Sequence, residues 1–488
     1  MSFFKINIQE LFQSVHLPYE YVHIPDPEDP KEEPSVPLYY YVNRVISTIP
    51  RKVLHHCGFV KTEDKKHWNV SWGRQFTCNE YRECESWQKI NHWAGAFLIG
   101  RKDDLTKRMQ ELRSRVGNFV DFYPESYLMP ESKEELMKNW EKHNTWIIKP
   151  SASARGRGIH LMSSAEKCYE KNGVVQYYLE NPFLITGRKF DLRLYVLVTS
   201  ISPLKIYIHE NGLVRFATHP YESNGNIDDL KMHLTNFSLN KTDSNFIQCT
   251  DDEESVQNSK WSFQFFLKYL KSQSYDTDKL LMKIKRATSA TLIAGFSKIR
   301  EYHRQYVKHR YTSYEMYGID IILDNDLNPY ILEVNVSPAL NGIKSKLDLR
   351  LKSRILHELF RMARIIKCDA TSPEPCKGID YIDQLCNDSL TQERVSSVEN
   401  GNVNPWDSPV FADFMFIRDY IEEQSIKGGF QLIFPTKDTF HEYLKCFDKV
   451  EYSDIVLTKW VEMDPQHQLS VLESNWEKYS IPIQQFPC

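Results

Sequence analysis

Gly318-Ile-Asp-Ile-Ile-Leu323, Asp324-Asn-Asp-Leu-Asn-Pro329 and Tyr330-Ile-Leu-Glu-Val-Asn335 follow one another without a gap. Two apolar, β-branched runs around a stretch of turn formers predict a β-hairpin. Oxygen-bearing side chains interrupt the runs at Asp320, Glu333 and Asn335. Glu333 and Asn335 are two apart and share a strand face. A hairpin centred between Asp326 and Leu327 sets Asp320 opposite Glu333, so three oxygen donors meet at one spot. Two carboxylates and an amide suit Mg²⁺, which takes hard oxygen ligands and completes its shell with water and nucleotide phosphates. The competing reading is a solvated polar face on an edge hairpin.

Upstream, Trp146-Ile-Ile-Lys149-Pro150 puts a lysine at the end of an apolar strand. The following Ser151-Ala-Ser-Ala-Arg155-Gly156-Arg157-Gly158-Ile159 consists largely of small residues whose backbone N–H groups can come close to a phosphate. It has no GK[ST] and no G-x-G-x-x-G opening a helix, so it is neither a P-loop nor a dinucleotide fingerprint. A flexible basic turn is the alternative. Val174-Val-Gln-Tyr-Tyr-Leu179 runs from an apolar strand into a polar bend, either a main-chain edge for adenine or a plain buried strand. In Lys189-Phe-Asp-Leu-Arg193 the charged residues alternate, so Lys189, Asp191 and Arg193 share a face. Such a stripe on an apolar strand is costly unless it is paired or faces a charged ligand. Arg215, in Gly212-Leu-Val-Arg215-Phe, can fork onto a carboxylate. Thr235 and Asn236, in His233-Leu-Thr-Asn-Phe-Ser238, offer neutral groups for sugar or phosphate, or simple turn chemistry.

Around these motifs the chain divides into segments. Residues 1–90 comprise an arm, rich in Pro and Glu over 20–37, and the start of an N-terminal domain that continues over 91–145. Helices are predicted over 103–115, with acidic start and basic end, and over 132–143, opened by the capping-box pattern Ser132-Lys-Glu-Glu. A central domain spans 146–210 and a C-terminal domain carrying the metal hairpin spans 211–366, largely helical over 255–306. Residues 367–408 read as a loosely ordered linker and 409–488 as a folded, aromatic-rich extension. The helix predicted over 345–366 and its flanks carry Lys344, Lys346, Arg350, Lys352, Arg354, Arg361, Arg364 and Lys367 against Asp348 and Glu358. Leu347, Leu351, Ile355, Leu359 and Met362 recur at helical spacing, so one face is buried. The basic face is either solvated or a salt-sensitive dock for an acidic, disordered tail.

Composition bounds the partners. At 488 residues and 26% charged side chains the chain is an ordinary globular protein of two or three domains. A formal net charge of −4 carries no global nucleic-acid signal, and no stacking aromatics interleave with the basic helix. The ten cysteines are scattered without zinc spacing. The N-terminus is expected not to be a secretory signal, and no apolar run approaches a membrane span. A reducing cytosolic compartment is the expectation.

In order, IIKP with ARGRGI, VVQYYL, KFDLRLYVLVT, GLVRFA, HLTNFS and GIDIILDNDLNPYILEVNVSP resemble the tubulin–tyrosine-ligase-like family, with Asn91-His-Trp-Ala-Gly-Ala-Phe-Leu-Ile-Gly-Arg-Lys-Asp103 upstream fitting too. The likeness covers about residues 90–366 and is nearest the glutamate-adding branch. Gly428-Gly-Phe-Gln-Leu-Ile-Phe-Pro435 resembles the type-4 tubulin glutamylases in particular. The resemblance implies an α+β, ATP-grasp fold of mixed and antiparallel sheets with flanking helices and a C-terminal extension. It implies an ATP- and Mg²⁺-dependent ligase that joins free L-glutamate through an isopeptide bond to glutamate side chains in tubulin tails, and in other acidic proteins. It implies that Lys149, Arg155, Gly156, Gln176, Tyr177, Tyr178, Leu179, Lys189, Phe190, Asp191, Thr235 and Asn236 hold ATP, with Asp191 at the ribose. Arg193 matches a stabiliser of the γ-phosphate or acyl phosphate, and with Lys149 is catalytic. Arg215, Ser238 and Lys352 match contacts to L-glutamate, and Asp320, Glu333 and Asn335 match magnesium ligands. Phe237 departs from a tyrosine common in relatives, and Ala339 from a serine. A glycylase of the same family, a catalytically idle microtubule-binding adaptor and a metabolic ligase remain alternatives. The implied setting is the cytoplasm and its microtubules, including cilia or basal bodies, with a monomer acting on microtubule tails and no membrane or nucleic acid involved.

Overall fold

The computed structural model describes residues 7–151, 156–164, 172–223, 225–247, 255–342, 345–372 and 376–486; Arg155 and Lys344 lie outside them. β1 (Tyr39–Asn43), β2 (Val60–Thr62), β3 (Val70–Gly73) and β4 (Lys89–Ile90) form a parallel sheet in the order β2-β1-β3-β4. β5 (Ser126–Met129), β6 (Trp146–Pro150), β7 (His160–Met162) and β8 (Gly173–Tyr177) form an antiparallel sheet in the order β5-β8-β6-β7. β9 (Phe190–Ile201), β10 (Leu204–Phe216), β11 (Lys260–Ser262), β12 (Glu315–Leu323) and β13 (Pro329–Asn335) form a third, antiparallel sheet in the order β11-β10-β9-β12-β13, and β14 (Phe430–Phe434) pairs with β10. This is the mixed α and β architecture, with antiparallel sheets and flanking helices, that the sequence indicates.

The third sheet sets the site. Every residue of β12 is buried, because helices cover both faces of the sheet. Leu192, Leu194, Val196 and Val198 of β9, with Ile319 and Ile321 of β12, face one apolar core together with Leu292, Ile293 and Phe296 of the helix Thr277–Tyr306. On the other face, Tyr195, Leu197 and Met316 pack with Leu351, Ile355 and Leu359 of the helix Lys346–Ala363. Further along, the same face carries Asp191, Arg193 and Asp320, where apolar packing gives way to charge.

A bulge aims the hairpin. Asp320 pairs with Glu333, as the sequence register predicts, and Ile319 with Val334, but Ile321 pairs with Ile331. Leu332 is therefore the extra residue. It lets Ile331 and Val334 both enter the core while Glu333 stays beside Asp320.

Three segment assignments are corrected. The boundary at residue 210 falls inside β10, which hydrogen-bonds along β9 from Leu204 to Phe216; the long β9–β10 pair belongs wholly to the third sheet. Residues 367–408 are no loose linker. They contain the helices Lys377–Ser389 and Gln392–Glu399, whose Ile382, Cys386 and Val398 join Phe414 and Trp460 in a core of their own. The polar letters of this stretch are the outer faces of amphipathic helices. The predicted basic helix is open on one stripe only, where Lys346, Arg350 and Arg354, four residues apart, are exposed. Lys352 and Arg364 are buried, Arg354 pairs with Glu358 and Arg361 with Asp26, because the arm, the parallel sheet and the extension crowd the helix. At Ser132 the hydroxyl makes no capping bond to the helix Lys133–Asn139.

The extension is built into the body. Ile206 to His209 of β10 pair with β14, and Gly428, at φ +55°, leaves no room for a Cβ against Glu358. From the buried helix Phe411–Ile426, Asp419 binds Arg364 at 2.8 Å. Glu423 binds Lys205 at 2.5 Å and Tyr207 at 2.7 Å. The seven cysteines among the described residues are unpaired, and no helix there is long and apolar enough to cross a membrane.

Candidate active site

A cleft opens between the second sheet and the charged face of the third. Lys102, Ile147, Lys149, Gln176, Tyr177, Tyr178, Leu179, Lys189, Phe190, Asp191, Thr235, Asn236, Asp320, Leu332 and Glu333 are among its lining residues. Lys149 is the penultimate residue of β6, where the apolar strand Trp146-Ile-Ile carries its ammonium inward. Its Nζ donates to Gln176 Oε1 at 2.5 Å, and Gln176 in turn donates to Ser126 Oγ at 2.8 Å. Lys189 donates to the Tyr178 hydroxyl at 2.7 Å. Burial lowers Lys149 to about 8. Burial, reinforced by the Lys149 charge, lowers Lys189 to about 7. Desolvation disfavours the charged form, and an anionic ligand would restore it. Gly156, at φ +77°, lies close enough to Asn236 that an added Cβ would sit 3.0 Å from its Oδ1.

The charged row is made of cross-strand neighbours. Arg215 pairs with Asp191 across β10–β9, Arg193 with Asp320 across β9–β12, and Asp320 with Glu333 across β12–β13. Arg215 Nε reaches Asp191 Oδ1 at 2.8 Å and its Nη2 reaches Asp320 Oδ2 at 2.8 Å. Arg193 forks onto Asp320, with Nη2 at 2.8 Å from Oδ2. Burial alone would push Asp320 up, but Arg193 and Arg215 outweigh it and hold the carboxyl well below the usual range. Glu333 lies 3.4 Å from Lys102 and accepts from Asn335 Nδ2 at 3.1 Å. Five cations (Lys102, Lys149, Lys189, Arg193 and Arg215) thus face three carboxylates (Asp191, Asp320 and Glu333). A surplus of positive charge in a walled cleft suits a polyanion.

Glu333 and Asn335 share the face that Asp320 borders, as read from the hairpin. Their chemistry fits a hard divalent cation. With its amide nitrogen turned to Glu333 and to Gly318 O, Asn335 has its oxygen left to offer. Both oxygens of Asp320 are engaged by arginines, so a cation there would compete with Arg193 and Arg215. Among the described residues no cluster of three His, Cys, Asp or Glu forms a metal site by itself; the amide is part of this set.

Beyond Arg215 lies a second polar group. Asp348 binds Lys260 at 2.5 Å and Lys352 at 2.6 Å. Burial lowers both lysines, and Asp348 only partly offsets it. Lys260 stands 4.6 Å from the ring centroid of Phe237, which is 45% exposed. Lys352 is held here rather than on the free helix surface. Ser238 lies in the short helix Phe237–Asn240 beside it in sequence.

Of the site residues read from sequence, all described members of the nucleotide set except Gly156 line the cleft, as do Asp320 and Glu333. Arg193 backs Asp320. Arg215 has its guanidinium on Asp191 and Asp320, so neither it nor the Asp191 carboxylate stands open to a ligand. Sequence reasoning missed Lys102, Lys260 and His233. Lys102 sits inside the quoted upstream block and His233 inside a quoted motif, but neither has a spacing that marks a ligand.

The sequence profile described as "Tubulin-tyrosine ligase family" matches residues 80–372. The chain belongs to the tubulin-tyrosine ligase family. It is similar to human tubulin monoglutamylase TTLL4, 31% identical over 449 residues that span 87% of this chain and 37% of that protein. It is similar to human tubulin polyglutamylase TTLL5, 32% identical over 438 residues, 83% of this chain and 34% of the relative. Caenorhabditis elegans tubulin polyglutamylase ttll-4 is 32% identical over 438 residues, 86% of this chain and 70% of the worm protein. The chain thus spans little more than a third of the human relatives it matches. The family profile covers the second sheet and every strand of the third except β14.

Proposed function

We propose that this chain is an ATP-dependent glutamylase, built on an ATP-grasp fold, that adds L-glutamate through an isopeptide bond to glutamate side chains of tubulin tails. The observation that carries this is the facing of Lys149 and Lys189 against the Arg193–Asp320–Glu333 row in one cleft, in a family whose similar members are named tubulin glutamylases. Joining a carboxylate to an amine needs activation, because a carboxylate is a poor electrophile. An acceptor carboxylate oxygen attacks the γ-phosphorus of ATP, and ADP leaves. The α-amine of glutamate then attacks the acyl carbon; phosphate leaves, and the amine proton passes to solvent.

The residues support each demand. Lys149 and Lys189 gather the triphosphate and lower its repulsion for an incoming carboxylate. Gln176 and Ser126 hold Lys149 in place. Arg193 stands behind the row, where charge builds on the transferred group. Glu333, Asn335 and Asp320 would hold Mg²⁺, which supplies charge neutralisation on phosphate oxygens. Lys260 and Lys352, bridged by Asp348, give the amino-acid side of the cleft an anion-binding end. No nucleophilic side chain of the protein is required, and the site works by positioning and charge.

Incubation with ATP, Mg²⁺, tubulin and labelled glutamate or glycine, followed by mass spectrometry of the tails, tests the proposal. Glutamate on tail carboxylates is the expected product. Glycine incorporation would give the glycylase, and no incorporation of either the idle adaptor.

A further inference from the structure

His233 lines the nucleotide cleft yet enters none of the roles above. Its imidazole is part of a directed chain. Nε2 faces the carbonyl oxygen of Asn226 at 3.1 Å, so it carries the proton and donates. Nδ1 faces the hydroxyl of Tyr178 at 2.8 Å. In the neutral ring Nδ1 is bare, so Tyr178 is the donor. The tyrosine oxygen, its proton spent, accepts from Lys189 Nζ at 2.7 Å. One end of the chain is therefore a main-chain acceptor and the other is the cleft lysine.

We propose that His233 is a positioning residue for nucleotide binding: through Tyr178 it fixes the Lys189 nitrogen so that its remaining N–H donors face the cleft. The inference rests on the nucleotide reading of that cleft and adds a residue to it. Tyr178 alone could rotate its proton toward other acceptors. With His233 behind it, the hydroxyl has one orientation and one lone-pair side for Lys189. The chain also predicts a pH response. Protonating Nδ1 turns the acceptor into a second donor, and the Tyr178 hydroxyl loses its partner. The groups facing the imidazole are Tyr178, Tyr221, Lys189 and Asp229. Burial lowers the His233 pKa, with the Lys189 charge acting the same way, while the Asn226 hydrogen bond and Asp229 oppose them. The change therefore falls on the acid side of an ordinary histidine.

The test is binding of a non-hydrolysable ATP analogue and the KM for ATP, measured from about pH 5 to 8. Tyr178→Phe keeps the ring and removes the hydroxyl; His233→Leu removes the acceptor. Each is expected to weaken ATP about five- to tenfold while kcat at saturating ATP changes less than about twofold. His233→Gln offers a carbonyl to Tyr178 and an amide to Asn226, and it does not titrate. It is expected to restore affinity and to abolish the acid rise in KM. Native affinity in folded Tyr178→Phe and His233→Leu proteins overturns the inference, as does an identical pH profile in His233→Gln. A native protein that binds no ATP at all would instead sink the cleft reading, a result distinct from binding indifferent to these changes.

Discussion

Nucleotide binding should draw protons out of solution at mildly alkaline pH. In the protein alone, Lys149 titrates at about 8 and Lys189 at about 7, both lowered chiefly by burial. At about pH 8 the first is half charged and the second about one-tenth charged. A bound triphosphate favours the ammonium forms and moves both lysines back toward their ordinary range. Complete recovery takes up about 1.4 protons per nucleotide at pH 8 and about 0.1 at pH 6. The γ-phosphate, with a last pKa near 6, contributes nothing at the higher pH. The assay is titration calorimetry with a non-hydrolysable ATP analogue in two buffers of different ionisation enthalpy. The dependence of observed enthalpy on buffer enthalpy counts the protons. Lys149→Met should lower the pH 8 uptake by at least about half a proton, because the Lys149 charge that helps to lower Lys189 is removed as well. Buffer-independent enthalpies at pH 8, or equal uptake at both pH values, would refute the view that these lysines are desolvated together in the nucleotide cleft.

Glu333→Gln keeps the shape of the hairpin and removes a charge beside Lys102 and Asp320. Ligation should fall about 100-fold or more with the melting temperature unchanged, and near-native turnover would remove Glu333 from the chemistry. Asp320→Ala leaves Arg193 and Arg215 buried without a shared carboxylate. It should cost about 3–5 kcal/mol in denaturant unfolding, and less than about 1 kcal/mol would show the arginines relax elsewhere. The native Asp320 pKa is depressed, so its stabilisation is present above the unfolded pKa near 4 and fades as pH falls through the folded value. The acid limb of the stability curve should accordingly flatten in Asp320→Ala. Phe434→Ala removes a ring that packs against Phe440, Tyr443 and Phe447. A loss of about 3–5 kcal/mol is expected, and a loss under about 1 kcal/mol would mean that the extension can leave the sheet without disturbing it.

Much of the site was legible because strand chemistry repeats every two residues. Asp191 and Arg193 could be put on one face, and Asp320 opposite Glu333, from spacing alone, and the strand pairings have both arrangements. Lys149 was legible because a lysine in an apolar strand is unusual for a core. Partners distant in sequence were not legible. Nothing near Arg215 announces that its guanidinium closes on Asp191 and Asp320, and nothing near Lys260 announces Asp348. In the basic helix the exposed stripe of Lys346, Arg350 and Arg354 was legible, but the covering of Lys352 and Arg364 by neighbouring elements was not.

From the amino-acid order alone come the hairpin and its oxygen donors, the two cleft lysines and the family membership. Local periodicity and a chain of motifs are properties of neighbours in sequence. The extra residue at Leu332, the closure of arginines on carboxylates, the burial of the helix Lys346–Ala363 and the strand lent by the extension were decided only in three dimensions. Each is an agreement between segments far apart along the chain, and packing selects it only when the sheets and helices meet.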